Sequence, residues 1–246
     1  MRAAEKAFLA YTEPYLAYGE KIRLKVDHTL RVRDLCEAIA RGLELSPEDR
    51  GLASFCGLMH DIGRFEQWKR YGTYTDSRSV DHGDLGADLL EAGEVSCFSC
   101  DEPETVIKTV RYHNKFELPQ TLSERERIFA GIVRDADKID ILYLSSAGEL
   151  TVRTHGSAIS PDVMRSLKEH RQIRKEDVRT KADSLAVRLA FPFGMVFAPS
   201  IGILRKKDHL RGMIAAQLEE AESEELKDQL TELDGLLRQY LEDRTG

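Results

Sequence analysis

The sequence has 246 residues, of which 41% are hydrophobic and 32% are charged, and its formal net charge is −7 at pH 7. This composition is typical of a globular protein and excludes intrinsic disorder and collagen-like structure. The acidic balance gives no basic surface for a nucleic-acid polymer, so an anionic ligand has to be bound by local groups.

The sequence also carries expectations about location. The stretch MRAAEKAFLAYTEPYLAYGEK has no apolar signal core, and the longest hydrophobic stretch, Leu189 to Leu204, is interrupted by Pro192, Pro199 and two glycines. We therefore expect a cytoplasmic protein without a membrane partner.

The cysteines are expected to be reduced thiols, because the C-F-S-C pair lacks the second cysteine pair that a structural zinc site needs. The four cysteines are Cys36, Cys56, Cys97 and Cys100.

The apolar spacing is helical along almost the whole chain, which predicts an all-α fold. Ser46 before Pro47 indicates a helix start that leads toward His60, Ser123-Glu124-Arg125-Glu126 fits a capping box, and Ser160 before Pro161 indicates another start. Further helices are predicted over residues 20–42, 81–92, 104–114, 125–145 and 176–189.

In the last third of the chain, one segment has helical apolar spacing and another does not. The tail from Asp208 to Asp243 has an apolar stripe, for which packing within its own bundle is favoured over a partner-binding helix. The stripe comprises Leu226, Leu230, Leu233, Leu237 and Tyr240. The segment from Phe191 to Leu204 is rich in proline, glycine and aromatic residues, and a buried loop, a short hairpin and a lid are all compatible with it.

The histidines divide into two groups. Four share helical faces with apolar residues: His28, His60, His82 and His113. By contrast, His155 lies in a predicted loop, and His170 and His209 lie among charged residues, so these three are expected to be solvated. A single inward histidine is usually satisfied within the core, but four of them with two acids are hard to satisfy without a cation.

Two acidic residues lie on the same apolar stripes as these histidines. One is Asp61, and the other belongs to the R-D-A-D-K segment, where periodicity does not distinguish Asp135 from Asp137. A buried carboxylate needs a cation or several donors, and few basic side chains occur along these stripes. A bound metal is the simplest solution. Imidazole and carboxylate ligands without thiolate suit iron, manganese or zinc.

The motifs H-D-I-G-R-F, D-H-G-D-L-G, Y-H-N-K and D-A-D-K-I-D follow in this order between Asp27 and Asp140. In this order they resemble the HD-domain superfamily of metal-dependent phosphohydrolases, over roughly the first 145 residues. The resemblance implies an HD-domain helical bundle with additional C-terminal helices. Residues 1–145 would form the metal-binding catalytic core, and residues 146–246 a helical extension packing on it.

The resemblance also implies a ligand set and chooses Asp137 as the last ligand. His28, His60, Asp61 and Asp137 would hold one divalent metal, and Asp61 would bridge to a second metal held by His82 and His113. Iron or manganese is favoured, with zinc and magnesium as the other candidates. The histidine pair and G-Y-P motif of the cyclic di-GMP phosphodiesterase branch are missing, since Asn114 follows His113.

The function that follows is hydrolysis of a phosphomonoester or phosphodiester of a nucleotide or small metabolite by metal-activated hydroxide. Asp61 and Arg64 are the predicted catalytic residues, and Arg64, Lys115 and Lys138 the predicted contacts to a small phosphorylated substrate. A homo-oligomer is compatible with the sequence. The alternatives are an HD-type di-iron oxygenase acting on a small organic substrate and a nucleotide-sensing regulatory module.

Overall fold

The computed structural model describes residues 2–150, 152–154 and 157–245. These residues form helices and no β-strand, which confirms the predicted all-α class. The α-helices are α1 (Arg2–Thr12), α2 (Glu20–Gly42), α3 (Pro47–Met59), α4 (Ile62–Tyr71), α5 (His82–Glu91), α6 (Pro103–Tyr112), α7 (Glu124–Ser146), α8 (Pro161–Lys168), α9 (Lys181–Leu189), α10 (Ala198–Lys207), α11 (His209–Glu220) and α12 (Glu224–Asp243). Short 3-10 helices cover Glu13–Tyr18, Asp76–Arg78, Lys175–Asp177 and Phe191–Gly194.

The chain divides into two compact units, and the boundary lies within α7. The first unit ends at Asp137 and the second begins at Lys138. The first unit contains α1 to α6, and the second contains α8 to α12. The expected domain boundary between residues 145 and 146 falls at the C-terminal end of α7, and the assignment of a core and an extension stays a prediction. Of the helices formed by the described residues, none combines the length and the apolar character that a membrane-spanning segment requires.

The predicted helix starts in the first unit are confirmed by their capping contacts. Ser46 Oγ accepts a hydrogen bond from the Asp49 amide at 3.1 Å, so α3 begins at Pro47 and ends beside His60. At the start of α7, Ser123 Oγ accepts from the Glu126 amide and Glu126 Oε2 accepts from the Ser123 amide, at 3.3 and 2.8 Å. These two bonds form the reciprocal capping box that the sequence predicts.

Glycines allow two helix pairs of the first unit to approach closely. Helix α3 packs against α2, and a Cβ atom at Gly57 would lie 2.9 Å from the Cα atom of Arg33. Helix α4 packs against α5, and a Cβ atom at Gly63 would lie 2.3 Å from the carbonyl oxygen of His82. Because only glycine lacks this atom, the backbones make direct contact and the helix segments that carry the histidines come together.

The predicted apolar stripes are buried in both units. In the first unit the fully buried side chains beside the motifs include Val32, Ile39, Leu58, Ile62 and Phe65. In the second unit α12 buries Leu226, Leu230, Leu233 and Leu237 as predicted. The stripe then continues through Leu241, whereas Tyr240 is only half-buried.

Two features of the second unit differ from the predictions. The segment from Phe191 to Leu204 is neither a hairpin nor an irregular loop, because it forms a 3-10 turn over Phe191–Gly194 and most of α10 from Ala198 onward, and its role as a lid stays a prediction. Pro199 lies in the first turn of α10, where the missing amide proton of proline costs no helical hydrogen bond. The helix predicted from Glu176 begins instead at Lys181, because Thr180 and Asp183 form a capping box there.

Candidate metal centre

The four histidines on apolar stripes are buried in the first unit, as predicted. His28, His60, His82 and His113 expose 1%, 0%, 5% and 4% of their surface. His28 lies within α2 and His82 is the first residue of α5, whereas His60 and His113 follow the last residues of α3 and α6. Four buried imidazoles on four helix segments therefore require partners inside the unit.

The other three histidines differ from one another. His170 is exposed, which confirms the prediction for this residue. His209 is half-buried with its ring 5.4 Å from the ring of Tyr143, so the prediction of a solvated side chain is wrong there. Burial lowers the pKa of His209. His155 lies outside the described residues.

The Asp61 carboxylate lies between two histidine pairs. Its Oδ2 atom is 3.5 Å from His28 Nε2 and 3.7 Å from His60 Nε2. Its Oδ1 atom is 3.5 Å from His82 Nε2 and 3.7 Å from His113 Nε2. Each carboxylate oxygen thus faces a different pair of imidazole nitrogens.

Asp137 lies at the first of these pairs. Its Oδ1 atom is 3.2 Å from His28 Nε2 and 3.8 Å from His60 Nε2. The ligand atoms of His28, His60 and Asp137 all lie within 4.8 Å of one another. Asp135, the other acid that periodicity allowed, is fully buried on the same helix. The structure therefore places Asp137, the acid chosen by the resemblance, beside two of the predicted ligands.

Three of the imidazoles have hydrogen bonds that fix which ring nitrogen carries the proton. His60 Nδ1 donates to the Gly57 carbonyl oxygen and His113 Nδ1 to the Val110 carbonyl oxygen, both at 2.7 Å. Both acceptors lie three residues earlier, among the carbonyls that a helix end leaves unsatisfied. His82 Nδ1 donates to Asp76 Oδ2 at 2.8 Å. The Nε2 atoms of these rings therefore present lone pairs to Asp61.

The facing Nε2 atoms fit a bound cation. The Nε2 atoms of His82 and His113 are 3.1 Å apart, and those of His28 and His60 are 3.3 Å apart. Two unprotonated nitrogens at 3.1 Å repel each other unless a positive charge lies between them and the neighbouring carboxylate. The donor set of imidazole nitrogens and carboxylate oxygens suits iron, manganese and zinc.

The electrostatics keep the donors in the protonation states that metal binding needs. Burial lowers the pKa of His60 to about 3 and that of His82 to about 4, although neighbouring carboxylates act in the opposite direction. Both rings are therefore neutral at pH 7. Burial alone would raise the pKa of Asp61, but the Lys25 ammonium and the surrounding imidazoles hold it well below its usual range. The pKa of Asp137 is likewise lowered, mainly by its hydrogen bond with His28.

A polar network holds the loop before α5 against His82. Arg64 donates from one terminal nitrogen to Asp76 Oδ1 at 2.9 Å and to the Tyr74 carbonyl at 2.7 Å. Gln67, which is fully buried, donates to the same Asp76 oxygen at 3.0 Å. Arg64 therefore positions Asp76, a role that the motif alone did not predict. Its Nε atom is 3.6 Å from Asp61 Oδ1 and has no hydrogen-bond partner among the described residues.

Arg134 plays a comparable role for the segment that follows His113. Its side chain is buried, and its guanidinium donates to the carbonyl oxygens of Tyr112, Lys115 and Phe116. These bonds link α7, which carries Asp137, to the end of α6. Arg134 directly precedes the D-A-D-K motif, but nothing in its spacing indicates which loop it contacts.

Lys25 is the residue near the site that the sequence analysis missed most clearly. Its ammonium nitrogen lies 2.6 Å from Asp61 Oδ2. The available signal was its position three residues before His28, because residues three apart lie on the same face of a helix.

The two predicted lysine contacts have other partners. Lys115 forms ion pairs at 2.8 Å with both Asp81 and Asp84, near the start of α5. Lys138 belongs to the second unit, where it donates to Gln172 Oε1 at 3.1 Å. Their assignment as substrate contacts stays a prediction.

Residues 26–142 match the family model described as HD domain. Neither a curated protein nor a solved structure matches the chain. The matched segment contains His28, Asp137 and all four ligand candidates between them. The match shows that residues 26–142 are similar to the HD domain, the segment that carries the candidate ligands.

Proposed function

We propose that this site is a dinuclear metal centre that hydrolyses a phosphate ester of a nucleotide or small metabolite. The observation that carries the proposal is the position of Asp61, whose two oxygens face two separate imidazole pairs at 3.5–3.7 Å. A carboxylate placed in this way suits bridging between two cations. Asp137 completes the set at the pair formed by His28 and His60.

A bound pair of divalent cations lowers the pKa of a water molecule and neutralises charge on a phosphoryl oxygen. The protein contributes the geometry that this chemistry needs. Asp61 holds the two imidazole pairs on opposite sides of one carboxylate, and the Nδ1 hydrogen bonds of His60, His82 and His113 fix their rings. Because these groups are buried, they require little reorganisation when a substrate binds.

Arg64 is the proposed contact to the phosphoryl group. Its Nε–H donor has no partner among the described residues and lies 3.6 Å from Asp61 Oδ1. Its terminal nitrogen is fixed by Asp76 and the Tyr74 carbonyl, so the guanidinium is already oriented. Such a donor stabilises the negative charge of a phosphoryl oxygen. Lys115 and Lys138 are secondary candidates that would have to leave their present partners.

The test is a metal-controlled screen of hydrolysis. We would purify the protein without chelator, reconstitute it with manganese, iron or zinc, and measure phosphate release from a panel of phosphorylated metabolites. Asp61→Asn should reduce the rate at least about 100-fold and reduce the metal content, because a neutral amide is a poor bridging ligand. Asp34→Asn is the matched control, since Asp34 is exposed on α2, where it pairs with Arg33.

The outcomes distinguish the proposal from its alternatives. Hydrolysis under anaerobic conditions with manganese supports it. Conversion of an organic substrate only with iron and dioxygen would establish the oxygenase instead. A nucleotide that raises the melting temperature but remains intact after prolonged incubation would establish a sensing module. Full hydrolytic activity of Asp61→Asn would refute the proposed role of the bridging carboxylate.

A further inference from the structure

We propose that Lys25 binds a phosphoryl oxygen of the substrate and that the substrate is a phosphate monoester in its dianionic form. This inference rests on the proposed function and narrows its substrate class. The Lys25 ammonium contacts the same Asp61 oxygen that faces His28 and His60.

Lys25 connects the buried centre with the surface of the first unit. Its side chain is 23% exposed, whereas that of Asp61 is only 3% exposed. Its ammonium nitrogen lies 5.7 Å from the centre of the Tyr74 ring, which also lies 5.7 Å from the Arg64 guanidinium carbon. Lys25 and Arg64 thus approach Asp61 Oδ2 and Oδ1, respectively. A ligand entering at this edge of Asp61 would meet two cationic side chains.

A bound cation would compete with Lys25 for Asp61, because the set formed by His28, His60 and Asp61 presents the same Oδ2 atom to a metal. A divalent cation there would repel the nearby ammonium and weaken its ion pair with Asp61, so a bound phosphoryl anion would become a better partner. The flexible stem of lysine lets the ammonium move toward a bound phosphoryl oxygen without moving α2.

The charges of the centre favour a dianion over a monoanion. Imidazoles bind a metal in their neutral form and contribute no charge, Asp61 and Asp137 contribute two negative charges, and Arg64 is paired with Asp76. With two divalent cations and Lys25, about three positive charges remain in excess. A monoester dianion compensates two of these charges and a diester monoanion only one. Because a buried excess charge is costly, the monoester is the better match.

The test compares two probes that differ by one methyl group. Methyl phosphate is a monoester whose second pKa is about 6, so it is a dianion at pH 8. Dimethyl phosphate is a diester monoanion. Their affinities for the manganese-loaded protein would be measured by titration calorimetry at pH 8, with the metal content determined on the same samples.

We expect the wild-type protein to bind methyl phosphate at least about 10-fold more tightly than dimethyl phosphate. Lys25→Met should weaken methyl phosphate binding by about 10-fold to 100-fold, with the metal content unchanged and with dimethyl phosphate affected less than about 3-fold. Lys25→Arg should retain most of the affinity for methyl phosphate. Lys21→Met is the matched control, because Lys21 is exposed one turn earlier on α2, with its ammonium over the Trp68 ring at 4.9 Å.

Several results would overturn the inference. Equal affinity of the wild-type protein for the two probes would refute the preference for a dianion, and this comparison needs no variant. Unchanged methyl phosphate affinity in metal-loaded Lys25→Met, with a lower melting temperature of the metal-free protein, would make Lys25 only a structural counter-ion of Asp61. If the wild-type protein binds no metal, the proposed function itself fails, and the metal measurement separates that case from the others.

Discussion

Substitution of Gly57 by alanine tests whether close contact between α2 and α3 assembles the site. The added Cβ atom would lie 2.9 Å from Arg33 Cα and 2.8 Å from Cys36 Sγ. Carbon atoms normally pack at about 3.5–4.0 Å, so the two helices must separate by about 0.5–1 Å. Overpacking of this kind costs about 1–3 kcal/mol, whereas alanine gains up to about 1 kcal/mol from helix propensity. We expect a net loss of about 1–2 kcal/mol in the free energy of unfolding.

Gly51→Ala is the matched control on the same helix. Apart from the neighbouring backbone of α3, no heavy atom of the described residues lies within 4 Å of a Cβ atom at Gly51, so this substitution should stabilise the protein by about 0.5–1 kcal/mol. Urea unfolding with chelator present would be followed by the fluorescence of Trp68, the single tryptophan, which lies in the same unit. Gly57→Ala should also weaken metal binding, because His60 follows α3 and His28 lies on α2. Equal stability and equal metal affinity of the two variants would refute the close-contact argument.

Three further predictions concern metal binding and pH. Asp76→Asn should weaken metal binding at the His82 side by about 10-fold to 100-fold by calorimetry, because the ring loses its charged acceptor. The control Asp84→Asn, at a partly exposed residue of α5 that does not contact His82, should leave the affinity unchanged, and equal affinities of the two variants would contradict this. Reconstitution with manganese at 100 times its dissociation constant should stabilise the first unit by about 2.7 kcal/mol for each occupied site, and chelator should reverse the effect. An unchanged melting temperature would argue against a metal site. Burial alone would raise the pKa of Asp183, but hydrogen bonds from three backbone amides lower it on balance. The Asp183 carboxylate therefore stabilises the folded protein above pH about 4, and this stabilisation is lost as the pH falls through the lowered pKa of the folded state. Asp183→Asn should remove about 2 kcal/mol at pH 7 and flatten the acid limb of the stability curve; an unchanged acid limb would refute this assignment.

The sequence predicted the elements whose signals are local. The helix starts at Ser46 and Ser123 follow from side chains that bond to amides three residues away. The inward faces of His28 and His60 follow from apolar neighbours on the same helix. Periodicity could not choose between Asp135 and Asp137, since both have apolar neighbours, and the choice came from the family resemblance.

The contacts that the sequence did not predict join distant segments. Asp76 reaches His82 through a loop held by Arg64 and Gln67, and no periodic pattern marks such a loop. Lys25 lies 36 residues before Asp61, so its ion pair depends on how α2 packs. The contacts of Arg64 were likewise not predicted, because the motif placed this residue near the site without revealing that Asp76 is one of its partners.

Anomalous diffraction at the manganese edge, from crystals of the reconstituted protein, is the most direct test of the central claim. We predict two manganese ions about 3.5–4 Å apart on opposite sides of Asp61, one beside His28, His60 and Asp137 and the other beside His82 and His113. Anomalous peaks located elsewhere, or none at these residues in fully loaded protein, would contradict it.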